Sequence, residues 1–406
     1  MVAKPDRWPM SSSDRGPIIE FMHRSLLLEP DSLGALAALA SDVLGARSGR
    51  LFVADYALRC VRELHGDGTT GVEFMLDGTI AGRAFASGVP VELGEGPVTV
   101  WVPIAEGSER IGVLELIFDK PQSWESAAAD VADVTRMMML LIVSGRRYSD
   151  VVLRARRAQP LSDAAEAQWD LLPPLSYAGS QIKVSGILEP AYTLGGDSFD
   201  YAINPARLDF AIVDAAGHGL PAVSMASAAI NTLRNARREQ RNLDDAYRQA
   251  DQRIAEQFGQ SYYVTGQIAT LDASSGRLTW LNAGHVLPLL VRNGSFVGEL
   301  ACAPSMPMGL GGPVVQIAVE SLQSGDRVLF HTDGVTESRS PDGTLFGTDR
   351  LADFLVRATI DDVSVAETIR RLSANVVNHV GAGLRDDATL FLIEYTNHPT
   401  ATPLLA

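Results

Sequence analysis

A chain of 406 residues exceeds the usual single-core size, so two domains are expected, and 46% hydrophobic with 20% charged residues is ordinary globular material, neither low-complexity nor membrane-like. The net charge of −15 repels phosphate backbones and argues against a general nucleic-acid binder. The only cysteines, Cys60 and Cys302, cannot build a disulfide framework; they fit a reducing, cytoplasmic setting as buried packing residues.

Residues 1–17 are polar and proline-containing, lack the apolar stretch of a secretion signal, and are expected to form a loose tail. Residues 18–148 have an α+β pattern. Leu36, Leu39 and Val43 are spaced as on a helix; "RLFVADY", "VTVWVPIAE" and "RIGVLELIFD" alternate as strands do; Ser126 to Val143 returns to helical spacing. The apolar run Met137 to Val143 is far shorter than the roughly twenty residues a membrane span requires, so no membrane association is expected.

Residues 149–172 are charged, helical in pattern and broken by Pro160, and are expected to be a helical linker. Ser162 can cap its second helical piece, and Pro173-Pro174 stop that piece after "WDLL". The linker is either a spacer or a signalling helix that pairs with its copy in a homodimer. The second reading rests on Val151, Val152, Leu153, Trp169, Leu171 and Leu172, which would otherwise leave apolar surface exposed. Arg154, Arg156 and Arg157 make the densest basic cluster, expected to be a solvated helix face.

Residues 173–396 form the second domain, followed by a tail at 397–406. Strands are expected in "QIKVSGILEP", "FDYAIN" and "LDFAIVDA", then helices over Ala222 to Arg238 and Leu243 to Phe258. A hairpin turns at Ser274 to Gly276, and Asn293-Gly294 suits the type I′ turn of another. "DRVLFHTDG" and "DATLFLIEY" are later strands, with helices over Asp349 to Ala358 and Val365 to Val380 between them. Strand pairs grouped away from helix pairs predict a β-sandwich with helices packed outside.

Four aspartates are placed to sit at strand ends of this domain: Asp197 in "LGGDSFDY", Asp214 in "AIVDAAGHG", Asp333 in "LFHTDGVTES" and Asp386 in "GLRDDATLFLIEY". Any one of them reads equally well as a turn aspartate. Together, if the strand ends converge, they repel by several kcal/mol per pair at an effective dielectric of roughly 20. Three of the four motifs contain no lysine or arginine, Arg385 being the exception, so a bound cation is the expected neutraliser. All-oxygen ligation selects hard ions, magnesium or manganese. Neither cysteine is followed six residues on by an arginine; Gly66 and Met308 stand there.

The ordered set "GGDSFD", "DAAGHGLPA", "NAGHVLPLL", "TDGVTES" and "RDDATL", preceded by "WDLLPP", resembles the metal-dependent protein phosphatases of the PPM type, in particular their bacterial SpoIIE-like branch, over about Leu172 to Tyr395. The resemblance implies an α-β-β-α sandwich carrying two metal ions, or three, at one end. It implies that Asp214 bridges the metals, that the Ala215 carbonyl completes one shell, that Asp197 binds directly or through water, and that Asp333 and Asp386 hold the other metal. Asp200 and Asp387 are candidates for the surrounding shell. Gly217 and Gly219 would let the chain turn sharply at the metals. The resemblance implies that two such ions would acidify a water for in-line attack on phosphorus, with no covalent phosphoenzyme. His218 is a candidate acid for the leaving serine oxygen, set against a loop-packing role; His285 carries the same ambiguity.

"LDGTIAGRAFASGVPVEL", followed by "VWVPIAEGSERIGVLELIFD", resembles GAF domains: a short helix, a loop, then two antiparallel strands joined at "EGSER". That resemblance implies an α/β/α sensor with a pocket for a small ligand or a dimer surface. The combined expectation is a cytoplasmic, homodimeric serine/threonine protein phosphatase under the control of its front domain, acting on a phosphorylated anti-anti-sigma-like protein. Its rivals are a regulator that keeps the phosphatase fold only for partner binding and a ligand sensor whose output is dimerisation.

Overall fold

The computed structural model describes residues 16–397 except 107, 108, 194, 260, 382 and 385. Most of the two expected tails, the "EGSER" turn residues Gly107 and Ser108, and Arg385 lie outside the described residues. The chain divides into two compact units, one ending at Ala158 and one starting at Gln159, residues 107–109 aside. Among the described residues no helix is long and apolar enough to cross a membrane.

The first unit runs α1 (Pro17–Ser25), a 3-10 turn, α2 (Leu36–Val43), β1 (Ser48–Ala54), β2 (Cys60–Leu64), β3 (Thr70–Met75), α3 (Ile80–Ser87), β4 (Val91–Leu93), β5 (Val98–Glu106), β6 (Glu109–Phe118), α4 (Pro121–Gly145) and α5 (Val151–Ala155). Its six strands form one sheet in the order β3-β2-β1-β6-β5-β4. Alternation along β1 splits the core between the two faces. Leu51 and Val53 pack with Phe21, Leu36, Leu114 and Met138 beneath α1, α2 and α4, whereas Phe52 and Ala54 pack with Phe85 and Trp101 beside α3. The Thr79 hydroxyl caps α3 by accepting from the Gly82 amide at 3.0 Å, and Gly88, at φ 70°, ends it.

The second unit runs α6 (Asp163–Leu171), β7 (Ser176–Ala178), β8 (Ile182–Glu189), β9 (Asp197–Asn204), β10 (Arg207–Ala215), α7 (Leu220–Arg238), α8 (Leu243–Phe258), β11 (Val264–Asp272), β12 (Arg277–Ala283), β13 (Leu289–Arg292), β14 (Ser295–Glu299), β15 (Ile317–Ser321), β16 (Arg327–His331), α9 (Asp333–Thr336), α10 (Gly347–Ile360), α11 (Val365–Val380) and β17 (Ala388–Tyr395). Two antiparallel sheets, β15-β12-β11-β10-β9 and β14-β13-β16-β17-β8-β7, stack face to face. Between them lie Phe199, Phe210, Phe330, Phe391 and Trp280. The Phe210 ring meets Phe330 at 4.8 Å and Phe391 at 5.3 Å between centroids, the separations aromatic pairs favour. Helices α7 and α8 cover the outer face of the first sheet, burying Met225, Ile230, Leu233 and Ile254 against Val213 and Ile268. Helices α10 and α11 pack on the second sheet. The α-β-β-α arrangement is the one expected.

Residues 149–172 are not a single spacer. Val151 and Val152 are buried in the first unit's core, and Leu171 is buried in the second's. Ser162 does cap α6, accepting from the Ala165 amide at 3.1 Å. With those side chains buried inside their own units, the exposed apolar surface that favoured a paired linker helix is largely gone. Within the arginine cluster Arg154 is exposed as expected, whereas Arg156 departs from a solvated face. Arg156 lies over the Tyr56 ring at 4.3 Å and donates to the Ala54 carbonyl, while Arg62 donates to the carbonyls of Ala155 and Arg157.

Candidate metal centre

The inner face of the first sheet changes character at one end. Phe210 and Ile212 on β10 point into the apolar core, and by the same alternation Asp214 faces the opposing sheet. Register places Asp197 of β9 directly across from Asp214 on one side and Thr265 of β11 across from it on the other. The opposing sheet contributes hydroxyls. Thr332, just past β16, and Thr389 on β17 both donate to Asp197 Oδ2 at 2.7 Å. Each lies two residues from a phenylalanine of the inner core, Phe330 or Phe391, so strand parity was the signal that could have found them.

Asp387 holds the turn into β9. Its Oδ2 accepts from the amides of Gly195 at 2.8 Å, Gly196 at 2.6 Å and Asp197 at 3.3 Å. A Cβ on Gly196 would sit 2.4 Å from the Ala215 carbonyl oxygen, so only glycine lets the "GGD" turn come this close to the end of β10. Likewise a Cβ on Gly334 would sit 1.8 Å from the Asp387 carbonyl oxygen, which brings the Asp333 turn against the "RDD" segment. Beyond Ala215, Gly217 and Gly219 take φ of 101° and 72°, making the sharp turn into α7.

Electrostatics binds the group together. Burial, then Asp333, Asp386 and Asp387, push the Asp214 carboxyl up to about 7. Burial, then Asp214 and Asp387, hold Asp197 well above the usual carboxylate range, against the lowering effect of its two threonine bonds. Asp333 is raised by burial, Asp386 and Glu337, and Asp387 by burial in spite of the amides it accepts from. A cleft of about 240 Å³ opens beside them, lined by Asp333, Glu337, Ser338, Arg339, Leu384 and Asp386 among others. The aspartates are electrostatic neighbours but not a closed cage: among the described residues no three acidic, histidine or cysteine side chains converge tightly enough to enclose an ion. The donors are nonetheless all oxygen, mutually repelling and in part buried, and such a set suits hard divalent cations.

Two expected members stand apart. Asp200 is three residues beyond Asp197, so strand alternation turns it to the outer face. There Arg234 donates to it at 2.8 and 2.9 Å and Arg237 at 2.7 Å, tying α7 to the sheet instead of serving the carboxylate cluster. His218 is exposed on the β10–α7 turn and makes no hydrogen bond among the described residues.

A β-sandwich clad by helices on both faces, with acidic strand ends gathered at one edge, defines the class of this unit. Residues 204–396 match the family model described as Stage II sporulation protein E (SpoIIE), and the second unit is a SpoIIE-family domain. Asp214, Asp333, Asp386 and Asp387 fall within the matched stretch and Asp197 just before it. Protein IcfG of Synechocystis sp. is 22% identical over 267 residues, which are 58% of this chain and 41% of IcfG, so the chain spans about two-fifths of that relative. Among solved structures, the SiaA-PP2C domain of Pseudomonas aeruginosa is 21% identical with a TM-score of 0.49, covering 57% of this chain and 94% of that one. The RsbU and RsbW domains of Rv1364c from Mycobacterium tuberculosis are 25% identical with a TM-score of 0.46, covering 55% and 62%.

Proposed function

We propose that this chain is a metal-dependent protein phosphatase that hydrolyses phosphoserine or phosphothreonine in a partner protein. The observation that carries the reading is the pairing of Asp197 with Asp214 on the inner face, with Asp333, Asp386 and Asp387 close enough to raise Asp214 further. Asp214, Asp333 and Asp386 would hold two magnesium or manganese ions, with Asp197 and the Ala215 carbonyl contributing. When bound, such ions supply Lewis-acid stabilisation to a phosphate ester and lower the pKa of water.

The chain's own residues do the positioning. Asp387 fixes the "GGD" turn, and Thr332 and Thr389 aim Asp197 by donating to one of its oxygens. Arg339, on the cleft wall, is placed to meet the anionic ester. The exposed His218 is free of packing duties and is kept as the candidate proton donor to the leaving oxygen. The motifs shared with the SpoIIE-like branch favour a phosphorylated anti-anti-sigma-like protein as substrate. In the same reading the first unit is a GAF-like sensor and the protein is cytoplasmic, its two buried cysteines reduced; the expected homodimer draws no support from the linker, whose apolar residues are buried within the units.

A rival reading, a regulator that keeps this fold for partner binding alone, draws on the open spacing of the carboxylates. One assay separates them: hydrolysis of p-nitrophenyl phosphate and of a phosphoserine protein by the full chain, with and without manganese. The expected result is manganese-dependent turnover that Asp214→Asn lowers by a factor of about 100 or more and for which Arg339→Ala raises KM by about 3–10-fold. Equal turnover by the wild type and Asp214→Asn would overturn the site; no turnover of either substrate by the wild type would favour the rival.

A further inference from the structure

We propose that His285 is a positioning residue: a clamp between the two sheets that sets the distance from the Asp333 turn to Asp214. The inference rests on the reading of that end as a metal centre. The "NAGH" segment is held first through its backbone. Asn282 closes both of its amide atoms on one residue, its Oδ1 accepting from the His285 amide at 2.7 Å and its Nδ2 donating to the His285 carbonyl at 2.9 Å. Gln267 Nε2 donates to the next carbonyl, that of Val286. Asn282 and Gln267 are cross-strand partners on β12 and β11, both buried, so the backbone of His285 is fixed to the first sheet before its ring is considered.

The ring then reaches across. Its Nδ1 lies 2.9 Å from Thr265 Oγ1 on the first sheet, and its Nε2 lies 3.1 Å from the His331 carbonyl at the end of β16 on the second. A carbonyl only accepts, so Nε2 carries the hydrogen; on a neutral ring Nδ1 then accepts from the threonine hydroxyl. Burial and the neighbouring His331 keep the ring neutral, pushing it down to about 3. The orientation is therefore fully determined by its two partners.

What the clamp joins gives it a purpose. Thr265 is the β11 neighbour of Asp214, and His331 is two residues before Asp333. From His331 the chain passes to Thr332, whose hydroxyl donates to Asp197, the β9 neighbour of Asp214. Thr265, His285, His331, Thr332 and Asp197 thus make a circuit that leaves the first sheet on one side of Asp214 and returns to it on the other. Burial demands a partner for both ring nitrogens of any histidine. What sets this one apart is that its partners lie on opposite sheets, around the carboxylate that the ions would share.

The test is manganese binding to the full chain by calorimetry, with urea unfolding of each variant alongside. His285→Phe keeps the ring but removes both polar atoms, and the expected loss is about tenfold or more in manganese affinity, the usual effect of removing a group that orients metal ligands. His285→Gln, whose amide nitrogen can still donate to the His331 carbonyl, should lose less, about 2–10-fold, as expected for the loss of a single neutral hydrogen bond. Should His285→Phe fail to fold, Thr265→Val decides, with an expected loss of about 2–10-fold in a folded protein. Wild-type affinity in folded His285→Phe or Thr265→Val would overturn the clamp. So would a loss in His285→Gln as large as in His285→Phe, because that pattern belongs to packing alone. A wild-type chain that binds no manganese would instead remove the metal centre itself, and the clamp with it.

Discussion

Asp214 carries the strongest consequence at the scale of single residues. Its carboxyl is raised to about 7 by burial and by three other aspartates, against about 3.9 in an unfolded chain. Between those values the folded protein holds a proton that the unfolded chain has released, so without metal the fold loses stability as pH rises through that window. The full difference is on the order of 2–4 kcal/mol. In EDTA the thermal midpoint should therefore fall from pH 5 to pH 8. Asp214→Asn, which cannot ionise, should flatten that slope and be the more stable protein at pH 8; a slope unchanged by the substitution would show that Asp214 is not the group under strain. Asp200 makes the contrast. More deeply buried, on the neighbouring strand β9, it is met by two arginines and needs no ion.

At the scale of elements, the site depends on one turn approaching one strand. Gly196→Ala would press a methyl to 2.4 Å from the Ala215 oxygen, so the β8–β9 turn must shift and Asp387 must release at least one of the amides it holds. A cost of about 1–3 kcal/mol is expected in urea unfolding, with manganese affinity lost in step. Unchanged stability and affinity would mean the close approach is incidental. The elements themselves were mostly legible in the sequence: alternation in "LDFAIVDA" and "DATLFLIEY", the Asn293-Gly294 turn with both residues at positive φ, and Ser162 as a cap all correspond to what the structure contains. Short pieces without such signals, β7, β15 and α9, were not legible, because three to five residues carry too little periodicity. The aspartates were legible as strand-end residues. The sides toward which Asp200, Thr332 and Thr389 point required counting strand parity from Asp197, Phe330 and Phe391, and the partners of His285 required knowing which strands of the two sheets meet, information that lies in pairing rather than in any one segment.

At the scale of the whole molecule, a chain of net charge −15 concentrates acidic groups at one end of a sandwich whose apolar core would otherwise hold the sheets apart from any charge. That arrangement is costly unless something positive arrives. The first unit, with its own core on both faces of its sheet, folds around separate residues and gives the proposed sensor a body distinct from the chemistry. The central claim is that the carboxylates of the second unit gather around divalent ions. It is tested most directly by anomalous scattering from a crystal of the full chain grown with manganese. The account predicts manganese peaks within bonding distance of Asp214, Asp333 and Asp386. Ordered density for these three side chains with no peak between them, or peaks held by other residues, would contradict it.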